Sequence, residues 1–500
     1  AGTQNDIIDG GDGADSLTGG SGDDVYLFDA GDIDSGEAIV ESGGGGTDVI
    51  SLDENVDFSL MTAASFDEIE QIRFAGSSKT GTFAGAQLTT ETIALTETGS
   101  GTNKLVVEVA SGTTVDLSNL SNGTGWDNGS DTITINGVDA GGEVITGPNI
   151  HKTSIFGKSG NDNITGGSGN DTVNGGDGDD TMDGGGGTNT LTYSDATAAI
   201  TINLGTGGAQ NTGGAGSDTI SNFIHVTGSD HDDNLTGDSN DNTISGGKGA
   251  DTLNGGGGTD TIYGGDGADN INGGGGGATI YGGDGADTIT GGGGTVTIHG
   301  GKHVDTIHGS NAAETLNGDD GADTINSGGG GDTITGGAGA DTINLNATSE
   351  TDTVKLQGAW GSNWVGDVIS NFETGNDRID FITNYARIDG GSTNSFNSGN
   401  TIDDNTGFIR DGTTVAAGAS ASAAQVTANL TAGTFDDGDT GGNVDRVYVA
   451  WDDGSNTYVG ALQANGGGDG FSGDSLTLIF TFNGLNDCTT LSASNFQDFS

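Results

Sequence analysis

Aspartates recur every nine residues along much of this chain, each set in the same surroundings. In Gly228–Asn344 thirteen nonapeptides run back to back on the template Gly-Gly-x-Gly-x-Asp-x-U-x, where U is a large aliphatic residue. Three copies show it: GGKGADTLN (246–254), GGDGADNIN (264–272) and GGDGADTIT (282–290). Position six carries Asp233, Asp251, Asp260, Asp269, Asp287, Asp305, Asp323, Asp332 and Asp341. A carboxylate supplies hard oxygen ligands, and hard oxygens suit calcium. Glycine at positions one, two and four admits backbone angles that other residues resist, so a tight turn exposes carbonyl oxygens beside the carboxylate. Position three adds Asp12, Asp177, Asp266, Asp284 and Asp320 as further candidate ligands or as added charge.

The elements that must hold these aspartates follow from the rest of the template. Positions seven to nine read as a short strand with U pointing inward. Position eight is aliphatic in all thirteen copies, from Leu235 to Ile343. One unit buries one side chain and cannot stand alone, whereas stacked units bury a continuous file. The pattern Gly-Gly-x-Gly-x-Asp-x-U-x resembles the calcium-binding repeat of RTX proteins. The resemblance implies an all-β chain dominated by a calcium-bound parallel β-roll, a β-solenoid of nonapeptide repeats, with flanking β-rich domains. It also implies calcium held between successive turns on each edge, and export by type I secretion.

Composition narrows the function. Twelve basic against 72 acidic residues give a net charge of −60. Nucleic acid would be repelled. Such charge favours a chain that folds when metal neutralises its turns, and about fifteen calcium ions would offset roughly thirty charges. Glycine is 102 of 500 residues with one proline, but no Gly-x-y period exists, which excludes collagen. Cys488 stands alone, so no intrachain disulfide forms. No apolar run is long enough to span a membrane.

Taken in order, residues 1–27 hold three in-phase repeats with Asp6, Asp15 and Asp24 at position six. The in-phase start at Ala1 suggests a processed product or a piece of a longer array. Residues 28–150 alternate apolar and β-branched residues, as in KLVVEVASGTTVDL (104–117), and read as a β-rich domain. Within it SFDEIEQI (65–72) is compatible with one helical turn, and GGGGTDVIS (43–51) is repeat-like. A second block, 151–192, carries Asp162, Asp171 and Asp180, with Asn189 in place of a fourth aspartate. A strand spacer at 193–227 separates it from the main roll at 228–346. Residues 347–500 read as a cap and a C-terminal β-rich secretion or assembly domain. There DVISNFETGNDRIDF (367–381) resembles the segment that closes RTX rolls, and DCTTLSASNF (487–496) resembles the end of type I secretion substrates.

In a roll, consecutive repeats fall on opposite edges, so residues 18 apart stack. The first edge then carries aspartate at every rung from Asp233 to Asp341. The second reads Asn242, Asp260, Ala278, Val296, Glu314 and Asp332, and its calcium is expected to be interrupted at Ala278 and Val296. Above that edge, position seven is threonine from Thr243 to Thr333, and position nine includes Tyr263, Tyr281 and His299. Such a flat rank is a docking surface for another subunit or for a crystalline ligand such as ice, or simply good strand chemistry.

No catalytic arrangement emerges. HExxH and G-x-S-x-G are absent from the sequence, and Gly157-Lys158-Ser159 lacks the leading glycine of a phosphate loop. His299, His303 and His308 read as exposed repeat substitutions, with a transition-metal site as the alternative. The acidic loop 436–445 is either a calcium loop or a solvated hairpin; it lacks the bidentate Glu of an EF-hand. The sequence therefore predicts a non-enzymatic calcium-binding structural protein of the bacterial cell surface, outside the cell. Its expected partners are further copies of itself and a cell-surface glycan. The alternatives are a segment of a large adhesin, or the non-catalytic part of a secreted enzyme or toxin.

Overall fold

Each nonapeptide folds into a glycine turn and a short strand, and in the unbroken arrays each strand lies parallel to the one 18 residues away. The computed structural model describes residues 2–357, except 35, 42–44, 62–65, 67, 90–91, 100, 128, 140, 150–151 and 347–349. Beyond these it describes 367–372, 377–382 and strands at 402–403, 408–410, 446–452, 456–463, 476–483 and 496–497. The acidic loop 436–445 and most of 487–496 lie outside the described residues. The chain divides into two units, 1–247 and 248–500.

In the second unit two parallel sheets face each other across one file of aliphatic side chains. One contains Thr252–Asn254, Asn270–Asn272, Thr288–Thr290, Thr306–His308, Thr324–Asn326 and Thr342–Asn344, paired in order. The other contains Asp260–Asp266, Ala278–Asp284, Val296–Lys302, Thr315–Asp320, Thr333–Ala338 and Thr353–Gln357. The register stacks Ile271 on Ile289 and Ile262 on Ile280. Every position-eight residue from Ile262 to Ile343 is fully buried. Each such burial contributes about 1.5–3 kcal/mol.

The segment 367–381 does not end the stack. Asp367–Ser370 pairs with the strand Thr342–Asn344 on one side and with Leu476–Asn483 on the other. Arg378–Ile382 likewise receives Phe496–Gln497. Both strands therefore serve as further rungs, with both of their hydrogen-bonding edges used. An antiparallel hairpin, Arg446–Asp452 with Asn456–Gln463, continues the sheet from Leu476–Asn483.

The first unit uses the same parallel stacking even where the repeat is invisible. Ile7–Asp9, Val25–Phe28, Val49–Leu52, Gln71–Phe74 and Ala94–Glu97 pair in sequence. Thr80–Ala84, Lys104–Glu108, Thr132–Asn136, Thr153–Phe156, Thr172–Asn174 and Thr190–Thr192 form a second ladder. The β-rich region 28–150 is thus built of solenoid rungs that are longer than 18 residues. Their wider interior is filled by Phe28, Phe58, Phe66 and Phe83, with Phe58 stacked on Phe83 at 4.6 Å. Within 65–72 the Ile69 N–H donates to Phe66 O at 3.2 Å, closing one helical turn ahead of the strand Gln71–Phe74, and a further helix is described at Gly85–Leu88. Gln87 holds that helix by donating to the carbonyls of Phe58 and Met61, a contact that no local pattern announces.

Close stacking sets a strict condition on the turn. Gly267 has φ +143°, and a methyl group there would lie 1.7 Å from the carbonyl oxygen of Gly249. Its N–H donates to Asp284 O at 2.7 Å. Gly267→Ala is expected to destabilise the second unit by about 2–4 kcal/mol through strain and a displaced rung. Thermal unfolding in calcium measures this, and an unchanged midpoint would contradict the stacking.

Candidate metal centre

The position-six carboxylates form ladders along the turns. In the second unit the backbone N–H of Asp251 donates to Asp269 Oδ1, Asp269 to Asp287, Asp287 to Asp305 and Asp305 to Asp323, each at 2.8 Å. The chain continues from Asp323 to Asp341 and from Asp341 to Asp367, each at 2.9 Å. One oxygen of each carboxylate is thus fixed by the preceding rung. The other, Oδ2, receives no hydrogen bond at Asp269, Asp287, Asp305, Asp323 and Asp341, and all five are buried. Such an arrangement is costly for a bare carboxylate.

Those buried oxygens share one environment. A methyl group on Gly264 would sit 2.3 Å from Asp269 Oδ2 and 2.3 Å from the carbonyl oxygen of Gly282. At Gly282 the same point lies 2.4 Å from Asp287 Oδ2 and 2.3 Å from Gly300 O. Gly300 and Gly318 repeat it with Asp305 and Asp323. A carboxylate oxygen and a carbonyl from the next rung converge where only glycine leaves room. That donor set is all hard oxygen, as calcium requires. Burial is the main cause that pushes the carboxyls of Asp305, Asp323 and Asp332 up to about 7 and those of Asp287 and Asp341 to about 6. The N–H bond from the preceding rung partly offsets it. A divalent cation at Oδ2 would remove the cost of charging them.

The first unit repeats the device. Asp162 N–H donates to Asp180 at 2.8 Å, Asp171 N–H to Asn189 at 2.8 Å, and Asp6 N–H to Asp24 at 2.7 Å. Asp24, Asp162, Asp171 and Asp180 bury an unbonded Oδ2. Asp171 and Asp180 are pushed up to about 7 by burial. Asp6 and Asp15 are only half-buried. Asp233 differs, because both its oxygens accept from Ser229, which replaces a turn glycine. Asp260 keeps the standard geometry, with Oδ2 2.4 Å from the methyl position of Gly255. The position-three residues Asp12, Asp177, Asp266, Asp284 and Asp320 are exposed and stand apart from the buried row. Asp284 instead pairs with Lys302 at 2.7 Å.

Further ladder members lie outside the unbroken arrays: Asp48 and Asp218 end glycine-rich stretches (GGGGTD, 43–48; GGAGSD, 213–218), and the others lack the template's leading glycines. Asp24 N–H donates to Asp48, Asp48 to Glu70, and Asp15 to Glu37. Asn103 N–H donates to Asp131, Glu143 to Asp162, and Asp180 to Asp218. Asp332 N–H donates to Asp352, and Asp352 to Asp377. The signal that finds them is short: an acidic residue two positions before an aliphatic one, as in Asp131-Thr132-Ile133, Asp218-Thr219-Ile220 and Asp367-Val368-Ile369.

On the second edge the donors change. A methyl group on Gly273 would meet Ala278 Cβ at 3.1 Å, and one on Gly291 would meet Val296 Cγ2 at 2.8 Å. Hydrocarbon thus stands where the aspartate oxygen stands on other rungs. Glu314 fills its place by turning back to accept from Ser310 N–H at 2.9 Å. Ala278→Asp with Val296→Asp is expected to add about two bound calcium ions, counted by calorimetric titration, if each restored carboxylate completes one site. An unchanged count would mean that these turns cannot hold an ion.

A stack of glycine turns that presents buried, hard oxygen donors to each successive rung is the architecture of a calcium-binding parallel β-roll. The family model of the RTX calcium-binding nonapeptide repeat matches residues 1–32, 156–191, 227–262, 249–280, 281–312 and 308–343. The chain is an RTX-repeat protein over these segments, and its cofactor is calcium. No curated protein matches the chain.

Proposed function

We propose that this is a secreted, non-enzymatic structural protein of the bacterial cell surface, exported by type I secretion, that folds and self-assembles on meeting extracellular calcium. The observation that carries the assembly step is one outward sheet face. Thr261, Thr279, Thr297, Thr315 and Thr333 stand in register there. Beside them Tyr263, Tyr281 and His299 stack with ring centroids 5.2 and 5.1 Å apart and planes within 10° of parallel. Tyr263 is 43% exposed and Tyr281 38%. Ordered side chains at strand spacing match a second copy of the same face without much loss of rotamer freedom.

Calcium supplies the timing. At the low calcium of a cell interior the repelling turns stay open, while extracellular concentrations suit weak, multiple sites. Electron microscopy of the purified chain, first in EGTA and then with calcium added, tests the reading. Sheets or filaments that appear only with calcium support it. Folding to dispersed monomers would move the weight to a segment of an adhesin or to the carrier part of a secreted enzyme.

A further inference from the structure

Four successive position-six residues of the first unit have their polar atoms satisfied by the protein itself. They are Asn189, Asp218, Asp233 and Asn242, from the repeats 184–192, 213–221, 228–236 and 237–245, and all four are buried. The two asparagines carry no charge. Asn189 Oδ1 accepts from Asp171 N–H at 2.8 Å, and its Nδ2 donates to Gly186 O and Asn222 O at 3.2 and 3.0 Å. Asn242 Oδ1 accepts from Asp238 N–H at 2.8 Å, and its Nδ2 donates to Ile224 O at 2.7 Å. Asp233 keeps the Gly246 carbonyl near its turn, as on other rungs, but its oxygens accept from Ser229 and from Ile200 N–H.

Asp218 is the most informative of the four. Its repeat, GGAGSDTIS, keeps every residue of the template. The ladder bond is present, with Asp180 N–H donating to Asp218 Oδ1 at 3.0 Å. At Asp162, Asp171 and Asp180 the other oxygen has no hydrogen bond. At Asp218 it accepts the hydroxyl of Tyr193 at 2.8 Å, and Tyr193 is itself buried. The turn glycines here serve an antiparallel hairpin, Gly208–Gly213 with Gly216–Ser221. Gln210 ties the hairpin to the strand Thr201–Asn203, accepting from Asn203 N–H at 2.9 Å and donating to Asn203 O at 3.0 Å. Such local contacts close short loops and cost little chain entropy. The same stretch buries Ile200, Ile202, Ile220, Phe223 and Val226.

We propose that residues 189–245 form a core of the first unit that folds without calcium, and that its ion-dependent rungs stack upon this core. A bare buried carboxylate opposes folding until a cation reaches it. In this stretch neutral amides, N–H groups and hydroxyls take the place of the ion. Tyr193 is the positioning residue, since its hydroxyl satisfies Asp218 where the neighbouring rungs wait for calcium. The inference rests on the calcium-coupled folding proposed above and is independent of assembly.

Hydrogen–deuterium exchange of the full chain, read by mass spectrometry of its peptides as free calcium is lowered with EGTA, tests this. Peptides over 189–245 should keep their protection to a calcium concentration about tenfold or more below that at which peptides over 157–183 lose it, since each carboxylate oxygen left bare costs about 1–3 kcal/mol. Tyr193→Phe keeps the ring but leaves Asp218 Oδ2 bare, and should remove most of that gap. A tyrosine that only filled space would tolerate the change. Loss of protection at the same calcium level in both sets of peptides would overturn the proposal, and an unaltered gap in Tyr193→Phe would overturn the part given to its hydroxyl. Full protection of both sets in EGTA would instead contradict calcium-coupled folding itself.

Discussion

Asp287→Ala combined with Asp305→Ala is expected to raise the calcium concentration for half-folding by about tenfold or more and to lower the number of bound ions. The two carboxylates sit in the middle of the first-edge ladder, each fully buried. Their removal takes away the acceptors for the backbone N–H groups of Asp269 and Asp287. Each buried N–H so stranded costs about 1–3 kcal/mol. It also removes two of the oxygens that face the turn carbonyls of Gly300 and Gly318. Neighbouring rungs share these groups, so the loss should exceed the sum of the single substitutions. Asp284→Ala is the contrast. That side chain is exposed, and its pair with Lys302 is a surface one. A change within about 0.5 kcal/mol is expected there. Titration of both variants by circular dichroism decides the matter, and equal effects would mean that position three ligates as well as position six.

The second large effect concerns acidity. Without metal, the chain held in EGTA should gain β-structure as the pH falls from about 8 to about 5. Burial raises the position-six carboxyls in the folded roll, to about 7 for Asp171, Asp305 and Asp323 and to about 8 for Asp367, from an ordinary value of 3.8. Between those limits the folded roll holds more protons than the unfolded chain. Metal-free stability is therefore greatest below the unfolded value and is lost as pH rises through the folded ones. Calcium reverses the trend, because it needs the charged form, and so calcium affinity should fall on acidification. Circular dichroism across this range in EGTA, with the soluble fraction monitored, is the measurement. A metal-free chain equally unfolded at both ends would show that the buried carboxyls do not oppose folding at neutral pH.

How much of this was legible in the sequence depends on how strictly a rung keeps its length. In the second unit each turn is nine residues, so Asp269 and Asp287 and their aliphatic partners Ile271 and Ile289 declare both the ligand row and the core file. The substitution of Ala278 and Val296 was equally visible, since the register fixes what those side chains replace. Between 28 and 150 the rungs vary in length, and no fixed period survives to be read. What persists is the local triplet, such as Glu143-Val144-Ile145, whose meaning comes only from the strand stacked against it. The burial of Asn174 was hidden for another reason. Position nine is outward in the template, and only the folded spacer shows that this copy is covered. The position-three aspartates were read as candidate ligands or as added charge, and the turn leaves them exposed to solvent.

The most direct test of calcium-coupled folding is small-angle X-ray scattering with circular dichroism at neutral pH, in EGTA and then through a calcium titration. The account predicts an expanded chain with little β-structure in EGTA. A cooperative collapse to a β-rich particle should follow as calcium is added, with most of the position-six carboxylates engaged at saturation. A particle of the same size and β-content in EGTA as in calcium would contradict it.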